Sequence, residues 1–310
     1  MNNLFYPINI PGKLAQEKLP FDIYVHYKKQ FLCFRKAQTE MGKDLFEKLR
    51  MQKISQLFIN NESKNIFYGL MNDLLNSVVS GDATINEEES ADILSISATT
   101  SIKRMAENPK DKAAFKSTAM TSRGLTLLLS KRPKVLKNFF LHSLMEDDLF
   151  IHSRNVCILS ISLAKKMGLK AEVILNLASA ALMHDISIYE CSKEEKQLFY
   201  TPTEGLDKEE KRKYLQHATR SKAILDENSE ITKPILELIE LHELTLNEWP
   251  DLSLSGQILS LCNVYDKMVT IHRISPLTAY QDIQRNFIGS YSLKLIKALG
   301  EVIKQGFLSQ

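Results

Sequence analysis

Hydrophobic positions change their rhythm part-way along this chain. Residues 5–10 form a short apolar stretch ended by Pro11-Gly12, and residues 21–27 alternate with β-branched and aromatic side chains. A polar Lys28-Lys29-Gln30 leads into another apolar stretch at 31–34, which predicts a β-hairpin. Leu45, Leu49 and Met51 predict a helix over 41–52, and 54–60 predicts a further strand. The segment 1–62 is therefore expected to be a small α+β domain, with His26 on the surface of a strand. From residue 63 the spacing becomes helical. Ser63 is placed to cap a helix through Phe67, Met71 and Leu74 to Val79, broken by Ser80-Gly81-Asp82. Helices are predicted over 87–105, 112–129 and 135–145, with Arg132-Pro133 as a break. This part, 63–140, reads as a helical linker or regulatory region without chemical motifs, and its Glu87-Glu88-Glu89 run as a solvated face or helix N-terminal charge. Residues 141–310 read as helices throughout, with irregular stretches at 190–206 and 244–254.

One apolar run in this last region, residues 174–185, ends on His184-Asp185. Val173, Leu177, Ala181 and His184 share one stripe, and Asp185 is turned about 100° from it. A histidine beside a capping aspartate is an ordinary core arrangement, but here histidine recurs in successive helices. His152 shares a face with Val156, Leu159 and Leu163. His217 lies between Tyr214 and Ser221, and His242 follows Ile235 and Leu238. Leu259, Asn263, Asp266 and Thr270 form a polar-interrupted stripe on a later helix. Separate buried imidazoles would each need their own partners, whereas one metal centre satisfies them together.

Composition narrows the setting. The chain has 310 residues, 44% hydrophobic and 25% charged, with a net charge of +3. That is enough for two domains, and too little charge excess to indicate a nucleic-acid polymer or a membrane as partner. Cys33, Cys157, Cys191 and Cys262 are scattered and make no CxxC pair, which points away from a disulfide frame and towards a reducing cytoplasm. No signal-peptide pattern is read at the N-terminus, and no apolar run is read as approaching the ~20 residues of a membrane span. Six of the seven histidines lie from His142 onward, so the chemistry is expected there.

The order His152, His184-Asp185, His217, His242-Glu243 and then a carboxylate-bearing helix, over about residues 141–300, resembles the HD-GYP branch of the HD-domain phosphohydrolases. The resemblance implies a mainly α chain: an all-helical metal domain behind a small α+β N-terminal domain and a helical linker. It implies two divalent metal ions, iron or manganese, and hydrolysis of cyclic di-GMP by a metal-bridged hydroxide. By position, His152 and His184 would hold one metal, Asp185 would bridge both and act in catalysis, and His217 and His242 would hold the second. Asp148 falls where members with three metals place an acidic ligand; helix N-terminal charge is the other reading of it.

Departures from the motif bear on activity. The family's HDIGK is His184-Asp185-Ile186-Ser187-Ile188 here, so its lysine is lost. Leu241 stands where a second histidine precedes His242-Glu243, and the GYP loop is Asn247-Glu248-Trp249-Pro250. Trp249 is a candidate to stack on a guanine, or an anchor into the core or a partner. The late aspartate falls on Asn263, with Asp266 one turn on as the alternative ligand. The family's phosphate-contacting arginine falls on His272, with Arg273 next to it. Arg154 stands one place from another family arginine, whose position Asn155 occupies; either arginine also reads as plain surface. The resemblance thus implies a cyclic di-GMP phosphodiesterase, slow if active. The alternative is an inactive module that binds cyclic di-GMP or a GGDEF-domain protein, and a third reading is a phosphohydrolase of another nucleotide.

Overall fold

The computed structural model describes residues 4–39, 51, 56–141 and 148–307. The helix expected at 41–52 and His142 fall almost wholly outside these residues. Four strands, β1 (Phe5–Ile8), β2 (Ile23–Tyr27), β3 (Gln30–Arg35) and β4 (Leu57–Asn60), form an antiparallel sheet in the order β1-β4-β2-β3. The alternation read from the sequence decides which face is buried. Tyr6, Ile8, Ile23, Val25, Leu57 and Ile59 point into a core completed by Leu14 of the short helix α1 (Gly12–Ala15), by Leu19 and Phe21, and by Phe67 and Met71. The β2–β3 hairpin turns through Lys28 and Lys29, both at positive φ (44° and 66°), the conformation that a two-residue hairpin turn requires and that asparagine or glycine adopts more easily. His26 is exposed.

The helices that follow are α2 (Lys64–Ser80), α3 (Glu87–Glu107), α4 (Lys112–Lys131), α5 (Leu136–Leu141), α6 (Asp148–Lys166), α7 (Ala171–Met183), α8 (Lys193–Tyr200), α9 (Lys208–Asp226), α10 (Lys233–Leu241), α11 (Leu254–Asp266), α12 (Pro276–Asn286) and α13 (Leu293–Phe307). The chain is mainly α, with its small sheet confined to the N-terminal part. α2 stops at Gly81, whose φ of 79° closes the helix in the left-handed region. α3 starts on a capping box, Asn86 with Glu89, and α4 on Asp111, which accepts from the Ala113 amide.

A second core runs from Leu75 in α2 through α3, α4 and α6 to Ile303 in α13. α3 and α4 therefore pack in the same apolar interior as the helices that carry the histidines. At its centre α6 and α7 lie side by side, fully buried from Val156 to Leu159 and from Leu177 to Met183. The stretch Ala171–Glu190 is 20 residues long and apolar enough by composition to cross a membrane, which corrects the expectation that no run approaches that length. It is 72% buried, as the core helix that carries His184-Asp185.

Two irregular stretches were expected in the C-terminal half. The segment 190–206 instead contains α8, set by a capping box in which Ser192 accepts from the Glu195 amide and Glu195 accepts from that of Ser192. Eight residues give too few apolar repeats for periodicity to reveal such a helix. The segment from 244 to the start of α11 is a series of turns. α11 runs directly into a π-helical turn, Lys267–Ile271.

Candidate metal centre

Five elements converge on one buried point. His152 comes from the first turns of α6. His184 closes α7, and Asp185 leaves the helix at φ −102°, ψ 17°. His217 lies in α9, His242 closes α10 and Asn263 lies in α11. None of these six side chains is more than 4% exposed. Their ligating atoms form two overlapping groups: His152, His184 and Asp185, and Asp185, His217 and His242.

Three of the imidazoles are oriented alike. Nδ1 of His184 lies 2.8 Å from the Ala181 carbonyl, that of His217 2.5 Å from the Tyr214 carbonyl, and that of His242 2.6 Å from the Ile239 carbonyl. A carbonyl oxygen only accepts, so each Nδ1 carries the proton and each Nε2 presents a lone pair. The Nε2 atoms of His217 and His242 then face one another at 3.0 Å, two acceptors with no proton between them. Asp185 Oδ1 lies 3.1 Å and 3.4 Å from them. Asp185 Oδ2 lies 3.2 Å from Nε2 of His184 and 3.5 Å from that of His152. Nε2 of His184 and both oxygens of Asp185 have no hydrogen-bond partner.

Such a constellation fits metal-ion binding. Metal–nitrogen and metal–oxygen bonds of roughly 2.0–2.2 Å put neighbouring donors about 2.8–3.6 Å apart in octahedral or tetrahedral geometry, and the separations above fall in that range. His152 extends the first group: its Nε2 lies 3.0 Å from Asn263 Oδ1, while its Nδ1 lies 2.9 Å from Asp266 Oδ2. Asp266 thus faces the outer nitrogen of His152 and orients the ring, as carboxylates do behind metal-bound histidines; Asn263 is the residue of the pair on the inner side.

The remaining sequence candidates are placed differently. The side chain of Asp148 lies outside the described residues. His272 is half-buried at the edge of the centre, its Nε2 lacks a hydrogen-bond partner, and burial with the charge of Lys267 pushes its pKa down. Arg273 is exposed at φ 59°, and Trp249 is 49% exposed on the turn between α10 and α11, so it is no core anchor. Neither belongs to the cluster. Arg154 is not a surface residue: it is 2% exposed and donates to Ser95 Oγ, to the Phe139 carbonyl and to Asn155 Oδ1.

Three residues of the centre escaped the sequence reading. Glu243 Oε1 accepts from Asn263 Nδ2 at 3.0 Å and from the Tyr214 hydroxyl, and Lys267 donates to that hydroxyl in turn. Burial raises the Glu243 pKa, yet the Lys267 charge and the Tyr214 hydroxyl outweigh it and bring it below the ordinary carboxyl value. Lys267 is 6% exposed, with its ammonium 3.9 Å from the Tyr214 ring centre and 4.5 Å from that of Phe199. Both rings pack with Ile188, so a lysine reaches the cluster around Ile188 from a different element. The one signal for it was its place beside Asp266 on an inward stripe. Phe199 of α8 closes this side, its ring 5.8 Å from that of His152 and 6.3 Å from that of His217. Behind it, α8 and α9 enclose a cavity of about 370 Å³ lined by His217, Tyr214, Gln216 and Arg220 among others.

Among solved structures, the chain matches one described as "Bd1817, a HDG"Y"P protein from Bdellovibrio bacteriovorus", with a TM-score of 0.79 over 97% of this chain and 99% of that one. The chain has the HD-GYP fold. The two sequences are 16% identical, so the likeness lies in the fold, and it spans the N-terminal part as well as the helical domain. No protein-family model and no curated protein matches the sequence. Within the HD-GYP fold, the buried His/Asp cluster of this chain is a candidate metal centre.

Proposed function

We propose that this chain is a metal-dependent phosphodiesterase acting on cyclic di-GMP, with two metal positions that share Asp185. The observation that carries the reading is the pair of donor groups joined by that carboxylate, with lone-pair nitrogens facing inwards and no hydrogen-bond partner for its oxygens. Divalent ions bound there supply Lewis acidity and an activated water. Imidazole with carboxylate suits iron or manganese. The protein's part is to orient. Backbone carbonyls of Ala181, Tyr214 and Ile239 fix three imidazoles, and Asp266 fixes the fourth. Phe199, Ile188 and Leu149 form an apolar wall on one side. His272, with an unpartnered ring nitrogen that can donate to a phosphate oxygen, stands at the edge, and Arg273 follows it on the surface. We place Trp249 as a stacking surface for a guanine outside the centre.

One observation favours a second reading. His152, His184, Asp185 and His242 are at most 1% exposed, so the donor set is closed to a bulky dinucleotide in this conformation. A module that keeps its metals and binds cyclic di-GMP or a GGDEF-domain protein without turnover fits that closure.

The test is to measure the metal content of the purified protein, then to incubate it with cyclic di-GMP and separate the products. Two metals per chain with linear pGpG or GMP appearing supports the enzyme. Two metals with binding but no product supports the second reading. His184→Ala is expected to lower metal content and abolish hydrolysis while the helical circular-dichroism signal persists; unchanged metal content would remove His184 from the ligand set.

A further inference from the structure

Glu243 stands beside the second metal position without belonging to the ligand set that the sequence suggested. Its Oε1 lies 3.5 Å from Nε2 of His217 and 3.6 Å from Nε2 of His242. Those nitrogens carry lone pairs, because their Nδ1 protons are held by backbone carbonyls. A carboxylate oxygen and two lone pairs have no hydrogen bond to make with one another. Their spacing is nevertheless that of donors around a common ion, as it is for Asp185 Oδ1 with the same two nitrogens.

We propose that Glu243 is a further donor to the metal position formed by Asp185, His217 and His242, and that Tyr214 and Lys267 are the positioning residues that hold it there. The inference rests on the metal reading above and deepens it. Asn263 offers a neutral oxygen, so Asp185 would otherwise be the single charged donor shared by two divalent ions. Glu243 adds a second charge on the side of His217 and His242. Its placement is built by the surroundings. The Tyr214 hydroxyl and Asn263 Nδ2 donate to Oε1, so the oxygen stays turned towards the histidines. Lys267 donates to the Tyr214 oxygen, which leaves the phenolic proton for Glu243. The ammonium lies against the Tyr214 and Phe199 rings and bonds the phenol oxygen. Routed through Tyr214, Lys267 balances the charge of Glu243 while its ammonium bonds the phenol oxygen and not the carboxylate. Tyr214 has two tasks, since its carbonyl also accepts from Nδ1 of His217.

The experiment loads full-length wild-type, E243Q, Y214F and K267M proteins with manganese(II). It measures ions per chain and the affinity of each ion by competition with a chelator, with no substrate present. Wild type is expected to hold two ions. E243Q keeps the ion on the His152–His184 side and loses or weakens the other by at least about tenfold. Y214F and K267M weaken the same ion by ~10–100-fold, the usual effect of removing a group that orients a ligand, while their thermal melts stay cooperative. Lys267→Arg restores part of the loss. E243Q holding both ions at wild-type affinity would overturn the proposal. Should E243Q not fold, Y214F decides, because phenylalanine keeps the ring packing and removes only the hydroxyl; unchanged affinity there is equally fatal. Wild type that takes up no manganese, iron or zinc would overturn the metal reading itself, an outcome distinct from a normal wild type with an indifferent E243Q.

Discussion

Arg154 shows how a single side chain is committed by burial. Its guanidinium sits between α3, α5 and α6 and donates to Ser95 Oγ at 2.8 Å and to Asn155 Oδ1 at 3.1 Å. Asn155 passes the connection on to Thr270 Oγ1 at 3.2 Å, in the turn that follows the Asn263 helix. Methionine at 154 would fill much of the space and strand several buried acceptors, each worth ~1–3 kcal/mol when left unpaired. Arg154→Met is expected to lose about 2–4 kcal/mol in urea denaturation and to keep metal binding once folded; an unchanged midpoint would show that the acceptors find other donors. The same residue marks where residue-level reading stops. An arginine next to a histidine motif reads as a phosphate contact or as surface, and neither spacing nor residue type reveals that α3 and α5 lie across it. The histidines were legible because an apolar stripe on each side fixed the direction in which they point. Asn263 was legible as a replaced carboxylate, and its oxygen faces His152. Glu243, Tyr214 and Lys267 were not, because each has an ordinary explanation alone and their relation exists only where α9, α10 and the π-helical turn meet.

Elements were legible in proportion to their length and capping. α7 and α6 announced themselves by long apolar stripes, whereas α8 was hidden by its eight residues, although its Ser192-x-x-Glu195 box was present in the sequence. α4 offers a clean test of capping. Asp111 accepts from the Ala113 amide at 2.8 Å and from Arg104 Nη2 at 2.8 Å, which ties the end of α3 to the start of α4. Burial raises the Asp111 pKa, but the Ala113 amide and Arg104 outweigh it, and the native value lies below that of an ordinary aspartate. A depressed native pKa means that the carboxylate's contribution is complete above the unfolded value and is lost as pH falls through the native one. Asp111→Ala should therefore cost about 1–2 kcal/mol near neutral pH. The gap between variant and wild type should narrow once pH drops below about 4, the unfolded carboxyl range. Denaturation at pH 7 and pH 3 checks both parts; a gap that widens in acid would contradict the sign.

On the scale of the whole molecule, the candidate metal centre and the N-terminal helices share one packed core. α3 and α4 share an apolar core with α6, α7, α10 and α11, and α2 reaches both cores, with Leu75 in the large one and Phe67 and Met71 against the sheet. The donors come from five elements of this core, so an ion bound there ties together α6, α7, α9, α10 and α11 at a single point. Binding to the native chain alone stabilises it by about 2.7 kcal/mol when the free ion is at 100 times its dissociation constant. With slopes of roughly 2–4 °C per kcal/mol for large domains, removal of metal by a chelator should lower the melting temperature by about 5–10 °C. The shift should appear in one transition, because neither the α3–α4 pair nor the ligand-bearing helices can lose their packing without exposing the other's core. Calorimetry with and without chelator tests this. A metal-insensitive first transition assigned to 63–140 would show that these helices unfold on their own, and a single transition that moves with metal would show that the centre stabilises the chain from α2 to α13 together.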